Sequence, residues 1–197
     1  MPVAHARSEP HSVRREALHL RDEALRIVAV ADTHSRPHPG ALAHIAALEP
    51  QYVLHAGDVG ELAVLSELER IAPVFAVRGN IDAKTATLPD LRTLEVHDGD
   101  AVLLTLAMLH IAVAGPRLRV DAARFARAED ASLVVCGHSH VPFIGRDRGI
   151  AVFNPGSIGP RRFQLPIVFG VLDITRERVG LRHIDCETGA VWTPPAI

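Results

Sequence analysis

Five short polar clusters, each closing an apolar run, hold the side chains with the chemistry to form a site. They are Asp32-Thr33-His34, Gly57-Asp58, Gly79-Asn80-Ile81-Asp82, His110, and Gly137-His138-Ser139-His140. Carboxylate oxygen, amide oxygen and imidazole nitrogen are hard-to-borderline ligands that suit Mn²⁺, Fe or Zn²⁺, and not a metal selected by thiolates. Asp32, His34, Asp58, Asn80, His110, His138 and His140 are seven such side chains, too many for one ion that must keep a water. They suit two ions roughly 3.5–4 Å apart, which clamp the attacking and leaving oxygens of a displacement. Asp58 stands alone after its run and is the natural carboxylate to be shared. In Asp32-x-His34 and His138-x-His140 the members lie two apart, a spacing that extended backbone turns to one face.

The runs that deliver these clusters are RIVAVA, YVLHA, PVFAVR, AVLLTLAML and LVVC. Four of them have the length and β-branched content of buried parallel strands, and AVLLTLAML closes a hairpin. Strands ending in ligand-type residues present them at a sheet edge, where open α/β folds bind ligands. Strands alternate with helices from residue 26: RIVAVA, GALAHIAALE, YVLHA, ELAVLSELERI and PVFAVR give βαβαβ. The stretch TLEVHDGDAVLLTL predicts a hairpin with Asp98-Gly99 at its turn, and DAARFARAED a helix leading into LVVC. After GHSH the chain is all β: PFIGRD, GIAVFN, IVFGVLDI and VGLRHID, with turns at Arg148-Gly149 and Thr175–Arg178. Periodicity thus gives a mixed α/β class. Residues 1–24 read as an N-terminal extension, a solvated tail or packing arm; a helix capped by Ser12 through Val13, Ala17, Leu20 and Ala24 competes there with a strand at ALHL. Pro194-Pro195 reads as a frayed tail.

In this order, DTH, GD, GNID, a lone His and GHSH resemble the calcineurin-like metallophosphoesterase superfamily, over about residues 25–175, with Asn154–Ser157 (NPGS) as a further match. The compact spacing, and GN-x-D where larger members have GN-His-Glu, is similar to the small bacterial and archaeal phosphodiesterase branch, which includes the retromer scaffold subunit. The resemblance implies a four-layer α/β/β/α sandwich, with residues 25–197 as the metallophosphoesterase domain. It gives one ion Asp32, His34, Asp58 and His140, and the other Asp58, Asn80, His110 and His138. Mn²⁺ is the expected metal, with Fe, Ni²⁺ or Zn²⁺ as alternatives. Two positions depart from the pattern: Ser35 and Ile111 stand where the family usually has Gly. Ile81 replaces the residue that resembles a general acid in the GN-His-Glu relatives.

The activity this implies is metal-dependent phosphodiester hydrolysis. A water shared by two cations is hydroxide near neutral pH and attacks phosphorus in line, while the metals and His110 neutralise the oxyanion. Asp82 is expected to orient a histidine ligand, and Arg161 and Arg162 to contact phosphate. Each cluster also has an ordinary reading. Asp58 suits the N-cap of the following helix, GN-x-D a turn, His110 a loop histidine, and Arg161-Arg162 a surface pair. A scaffold like the retromer subunit should have lost several ligands, whereas all seven positions hold competent side chains. A phosphomonoesterase or nuclease of the same superfamily stays open, although a nuclease should carry a basic groove.

Composition agrees with a globular enzyme acting on a small phosphoester. The chain has 197 residues, 48% hydrophobic and 22% charged, with a formal net charge of −2. That charge offers no global attraction to nucleic acid or anionic membrane. No apolar run reaches the ~18 residues of a membrane span. Two cysteines, Cys136 and Cys186, without CxxC spacing, and no export signal predict a cytoplasmic protein. A homo-oligomer is compatible with all of this. His55, three residues before Asp58 in an apolar run, reads as a packed residue or one that orients a ligand.

Overall fold

The computed structural model describes residues 12–21, 23–85 and 87–194. The apolar runs become strands β1 (Val13–His19), β2 (Ala24–Val30), β3 (Tyr52–His55), β4 (Val74–Ala76), β5 (Leu91–Asp98) and β6 (Ala101–Leu109). After two short strands, β7 (Val113–Ala114) and β8 (Arg117–Leu118), come β9 (Leu133–Val135), β10 (Phe143–Asp147) and β11 (Ile150–Asn154). The chain closes with β12 (Val168–Thr175), β13 (Val179–Asp185) and β14 (Val191–Trp192), and its helices are α1 (Pro39–Ala47), α2 (Ala63–Glu69) and α3 (Val120–Ala128).

Two mixed six-stranded sheets result, in the orders β1-β5-β6-β9-β11-β10 and β14-β13-β12-β2-β3-β4. In the second sheet β2, β3 and β4 are parallel neighbours, joined through α1 and α2. In the first, β6, β9 and β11 are parallel. Alternation along β2 shows how the layers stack. Leu25, Ile27 and Ala29 face an inter-sheet core with Leu94, Leu106, Met108, Val135 and Phe153. Val28 and Val30 face the other way, onto Ala41 and Ile45 of α1 and Val64 and Leu68 of α2. On the outer side of the first sheet, Ala107, Val134 and Val152 pack on Ala122, Ala123 and Ala126 of α3. Period-2 burial on both faces of central strands requires cover on both sides, and the helices supply it: the expected four layers.

The N-terminal segment is neither helix nor solvated tail within the described residues. β1 pairs in parallel with β5 from Val13↔Leu91 to His19↔His97, and Ser12 is bound to Asp90. Leu18 is fully buried in the inter-sheet core, and the pairing satisfies the backbone of β5 on its outer side. Residues 1–11 of the expected extension, and Pro195 of the expected tail, lie outside the described residues. Strands β7, β8 and β14 are two residues each, too short for a period to mark. Among the described residues, no helix is long and apolar enough to cross a membrane.

Candidate metal centre

Every candidate ligand follows the C-terminal end of a parallel strand. The second sheet sends out Asp32 and His34 after β2, Asp58 after β3 and Asn80 after β4; the first sends out His110 after β6, and His138 and His140 after β9. The two sets meet. His110 Nε2 lies 3.2 Å from Asp58 Oδ1, and His140 Nε2 3.4 Å from Asp32 Oδ1. His34 Nε2 is 3.3 Å from His140 Nε2 and 3.7 Å from Asp58 Oδ2. The His138 ring stands edge-on to His110 with centroids 5.3 Å apart. Two compact groups of ligand atoms emerge, Asp32-His34-His140 and Asp32-Asp58-His110. Asn80 borders a cavity together with His110.

Local backbone, not strand pleat, sets this geometry. Asp32, His34, Asp58, His138 and His140 all have positive φ, between 46° and 69°. The expectation that extended backbone aligns each x-separated pair is therefore corrected: turns in the left-handed region aim these side chains. Asp and His are among the non-glycine residues that best tolerate it. Glycines make room for them. A Cβ on Gly79 would lie 2.0 Å from the Asp58 amide nitrogen, and one on Gly57 2.7 Å from the His110 ring. Ser35 (φ 66°) takes the strained turn without glycine. Ile111 has no positive φ, so a β-branched residue fits there without strain.

Asp82 holds the loops together. Its carboxylate accepts hydrogen bonds from the amides of Val59 (3.1 Å), Gly60 (2.8 Å) and Gly79 (2.8 Å). It thus ties the backbone that follows Asp58 to the loop after β4, correcting the expectation that it orients a histidine. Asp58 is not a helix cap either, because α2 starts after Leu62. The amide of Ile81 donates to Asp58 Oδ1 at 3.2 Å, while its side chain is half exposed. His55 is buried, with Nε2 3.0 Å from the Thr33 hydroxyl and Nδ1 accepting from the Gly57 amide, so it supports the Asp32 and Asp58 loops. NPGS serves the same loops: Asn154 donates to the Gly137 carbonyl at 2.8 Å, and Ser157 Oγ to the Asp32 carbonyl at 3.0 Å.

The electrostatics fit divalent cations. Burial pushes the Asp32 carboxyl up to about 7, against the opposing pull of His110; a bound cation would reverse that. Burial also raises Asp58, but His110, the Ile81 amide and His34 outweigh it and hold the carboxyl well below the usual range. Burial lowers His34 and His138, and lowers His140 to about 4 with help from Arg162 and His34, keeping these imidazoles in the neutral form that ligates metals. Burial works against charge on His110 as well, yet Asp58 and Asp32 raise it. His110 Nδ1 meets the Ala56 carbonyl at 2.8 Å. A carbonyl only accepts, so Nδ1 carries hydrogen and Nε2 faces the carboxylates. That Nε2 is buried without a hydrogen-bond partner, which suits a nitrogen that ligates a cation.

The two arginines part company. Arg162 places Nη2 3.1 Å from His34 Nε2, at the site. Arg161 instead binds Glu187 and the Leu165 carbonyl, so its expected phosphate contact is corrected to a surface anchor. Cys136 is fully buried, a packing residue as expected. Spacing gave no sign of Arg119 and Phe125, which border the cavity beside Asn80 and His110.

The family model for the calcineurin-like phosphoesterase superfamily domain matches residues 25–177. The chain belongs to that superfamily. It is 33% identical over 142 residues to a probable metallophosphoesterase of Methanothermobacter thermautotrophicus, covering 71% of this chain and 77% of that protein. It is also 33% identical over 106 residues to a probable metallophosphoesterase of Methanocaldococcus jannaschii. That match spans 53% of this chain and about half, 52%, of the relative. Among solved structures, vacuolar protein sorting 29 from Cryptosporidium parvum superposes with a TM-score of 0.71 at 18% identity, over 86% of this chain and 95% of that one. An archaeal phosphodiesterase superposes with a TM-score of 0.61 at 21% identity, over 82% and 99%. At these identities the two structures show a shared fold. In the superfamily's terms, the residues gathered between the sheets are candidate ligands for divalent metal.

Proposed function

We propose that this metallophosphoesterase is a phosphodiesterase holding two divalent cations, Mn²⁺ before Fe, Ni²⁺ or Zn²⁺, with Asp58 shared between them. The observation behind this reading is that the two oxygens of Asp58 face different histidines. Oδ1 faces His110 from one sheet at 3.2 Å, and Oδ2 faces His34 from the other at 3.7 Å. In this reading Asp32, His34 and His140 would hold one cation with Asp58, and Asn80, His110 and His138 would hold the other. Such a cation pair lowers the pKa of water and neutralises charge on the phosphoryl oxygens.

The chain's own groups do the rest. Arg162, beside His34, supplies a guanidinium for a non-bridging phosphate oxygen. Asp82 fixes the amides around Asp58 and acts as a positioning residue. Ile81, which stands where the GN-His-Glu relatives have a residue resembling a general acid, has no proton to give. As the water oxygen bonds to phosphorus, the leaving oxygen departs with its electron pair and takes its proton from solvent. General acid help is typically worth ~10²–10⁴-fold and matters most for basic leaving groups. Its loss favours diesters with acidic leaving groups.

Metal analysis after reconstitution with Mn²⁺, combined with rates on bis(p-nitrophenyl) phosphate and p-nitrophenyl phosphate, tests this. Two ions per chain and faster cleavage of the diester are expected. A single ion at saturation, or a preference for the monoester, overturns it.

A further inference from the structure

A cavity of about 330 Å³ opens beside Asn80 and His110, and nothing in the reading above uses it. Its volume suits a small organic group, since small-molecule sites run ~300–1,000 Å³. Most of its wall is apolar: Leu91 from β5, Leu109 at the end of β6, Ile111 just beyond, and Phe125 from α3. One side is a fixed, charge-compensated surface, because Arg78 and Asp90 are paired at 2.6 Å. Beside Asp121, which also lines the cavity, the remaining charge at the rim is Arg119. Its ion pair with Asp121 is 3.3 Å long, with side chains 48% and 68% exposed, so the guanidinium is weakly engaged.

We infer that this cavity seats the leaving group of the ester and selects an aromatic one, with Phe125 as the stacking face and Arg119 as the cation that meets the departing oxygen. The inference rests on the phosphodiesterase reading and names its substrate class. Two separate observations converge on it. The wall offers an aromatic face and a loosely held guanidinium, both of which pack on planar rings. Independently, the half-exposed Ile81 beside Asp58 supplies no proton, so turnover depends on a leaving oxygen stable as an anion, as an aryl oxide is. In the step itself, the bond from water oxygen to phosphorus forms while the phosphorus–aryl oxygen bond breaks. The electron pair leaves on the aryl oxygen beside Arg119, and the proton from water goes to solvent.

The test separates aromaticity from acidity. The Mn²⁺-loaded protein is given methyl phenyl phosphate, and a methyl fluoroalkyl phosphate whose alcohol matches phenol in acidity. The aryl ester should show a roughly tenfold higher kcat/KM, and Phe125→Ala should remove that advantage, mainly through KM. Arg119→Gln, at an exposed position that leaves folding intact, should lower kcat for both esters by roughly tenfold and more for the aryl ester. Calorimetry supplies a readout without turnover: phenylphosphonate should bind about tenfold more tightly than methylphosphonate, a difference lost in Phe125→Ala. Equal rates at matched acidity, or equal binding of the two phosphonates, overturns the inference. So does an Arg119→Gln protein with wild-type rates on both esters, which decides the matter if Phe125→Ala does not fold. A protein that loads metal but cleaves neither diester refutes the phosphodiesterase reading instead, and the phosphonate titration then still decides the cavity.

Discussion

Replacing Asp82 by Asn is the most discriminating perturbation, because the carboxylate is 6% exposed and serves three backbone amides at once. Oδ2 takes Gly79 and Val59, and Oδ1 takes Gly60. An asparagine has one acceptor oxygen. Its best orientation keeps the Gly79 and Val59 bonds and turns its own NH₂ group toward the Gly60 amide, donor against donor. One charge-assisted bond, worth roughly 1.5–3 kcal/mol, is lost, and two others drop to neutral strength at about 0.5 kcal/mol each. The sum is about 3 kcal/mol, or about 6–12 °C in Tm for a domain of this size. Because the lost and weakened bonds hold the segment that follows Asp58, metal affinity should fall by tenfold or more. Urea unfolding of the metal-free protein and calorimetric Mn²⁺ titration measure the two effects. Had Asp82 acted on a histidine through its charge, Asp82→Asn would leave the metal-free midpoint unchanged. A midpoint shift below about 1 kcal/mol therefore refutes the loop-clamp role.

Gly79→Ala should abolish soluble folded protein or metal binding, because its Cβ would sit 2.0 Å from the Asp58 amide nitrogen and 2.2 Å from its Oδ1; normal metal stoichiometry in that variant would show that the loop can move aside. Burial pushes the thiols of Cys136 and Cys186 up to about 12, so mass spectrometry should find neither alkylated by iodoacetamide in the folded protein at pH 8, and both alkylated in urea. His183 has its pKa lowered by burial, against the opposing bond to the Asn154 carbonyl. The folded state therefore binds its proton less readily than the unfolded chain does. The stability this residue contributes is present above the unfolded value of 6.5 and is lost as pH falls below it. His183→Gln keeps a donor for Asn154, and its urea midpoint should fall less than that of the wild type between pH 7.5 and 5.5.

The parts of this molecule legible in the sequence are those written in residue type. Val- and Ile-rich runs ending in Asp, Asn or His mark both the central strands and the ligands they deliver, since burial on two faces and metal affinity each demand particular side chains. Partnerships were not legible. Asp82 looked like a support for histidine because histidines are its obvious polar neighbours in composition, yet its bonds go to amides, which no sequence displays. Arg161 and Arg162 are adjacent and chemically identical; only the placement of Glu187 decides which one turns away. β1 was ambiguous because Val13, Ala17 and Leu20 fit a helical stripe, and the competing partner, β5, lies 78 positions later.

The spacing of the ligand pairs has a deeper reading than the one-face rule allowed. Residues held at positive φ cost of order 1–3 kcal/mol each in typical sites, and five of the seven candidate ligands are so held. The surrounding backbone over-determines them. The loop after β2 is zipped to the loop after β3 by Asp32 N to Gly57 O (2.9 Å), His34 N to Asp58 O (3.1 Å) and Ser35 N to Val59 O (2.9 Å). The Ser35 hydroxyl accepts from the Glu61 amide at 2.9 Å, which adds a lock at the position where the superfamily usually has glycine. Across the sheets, the His138 amide donates to both oxygens of Asp32, at 3.2 and 3.0 Å. The strain is thus balanced by hydrogen bonds among protein groups, which fix the direction of each ligand side chain. Cation affinity should therefore report how well the loops of the two sheets are clamped.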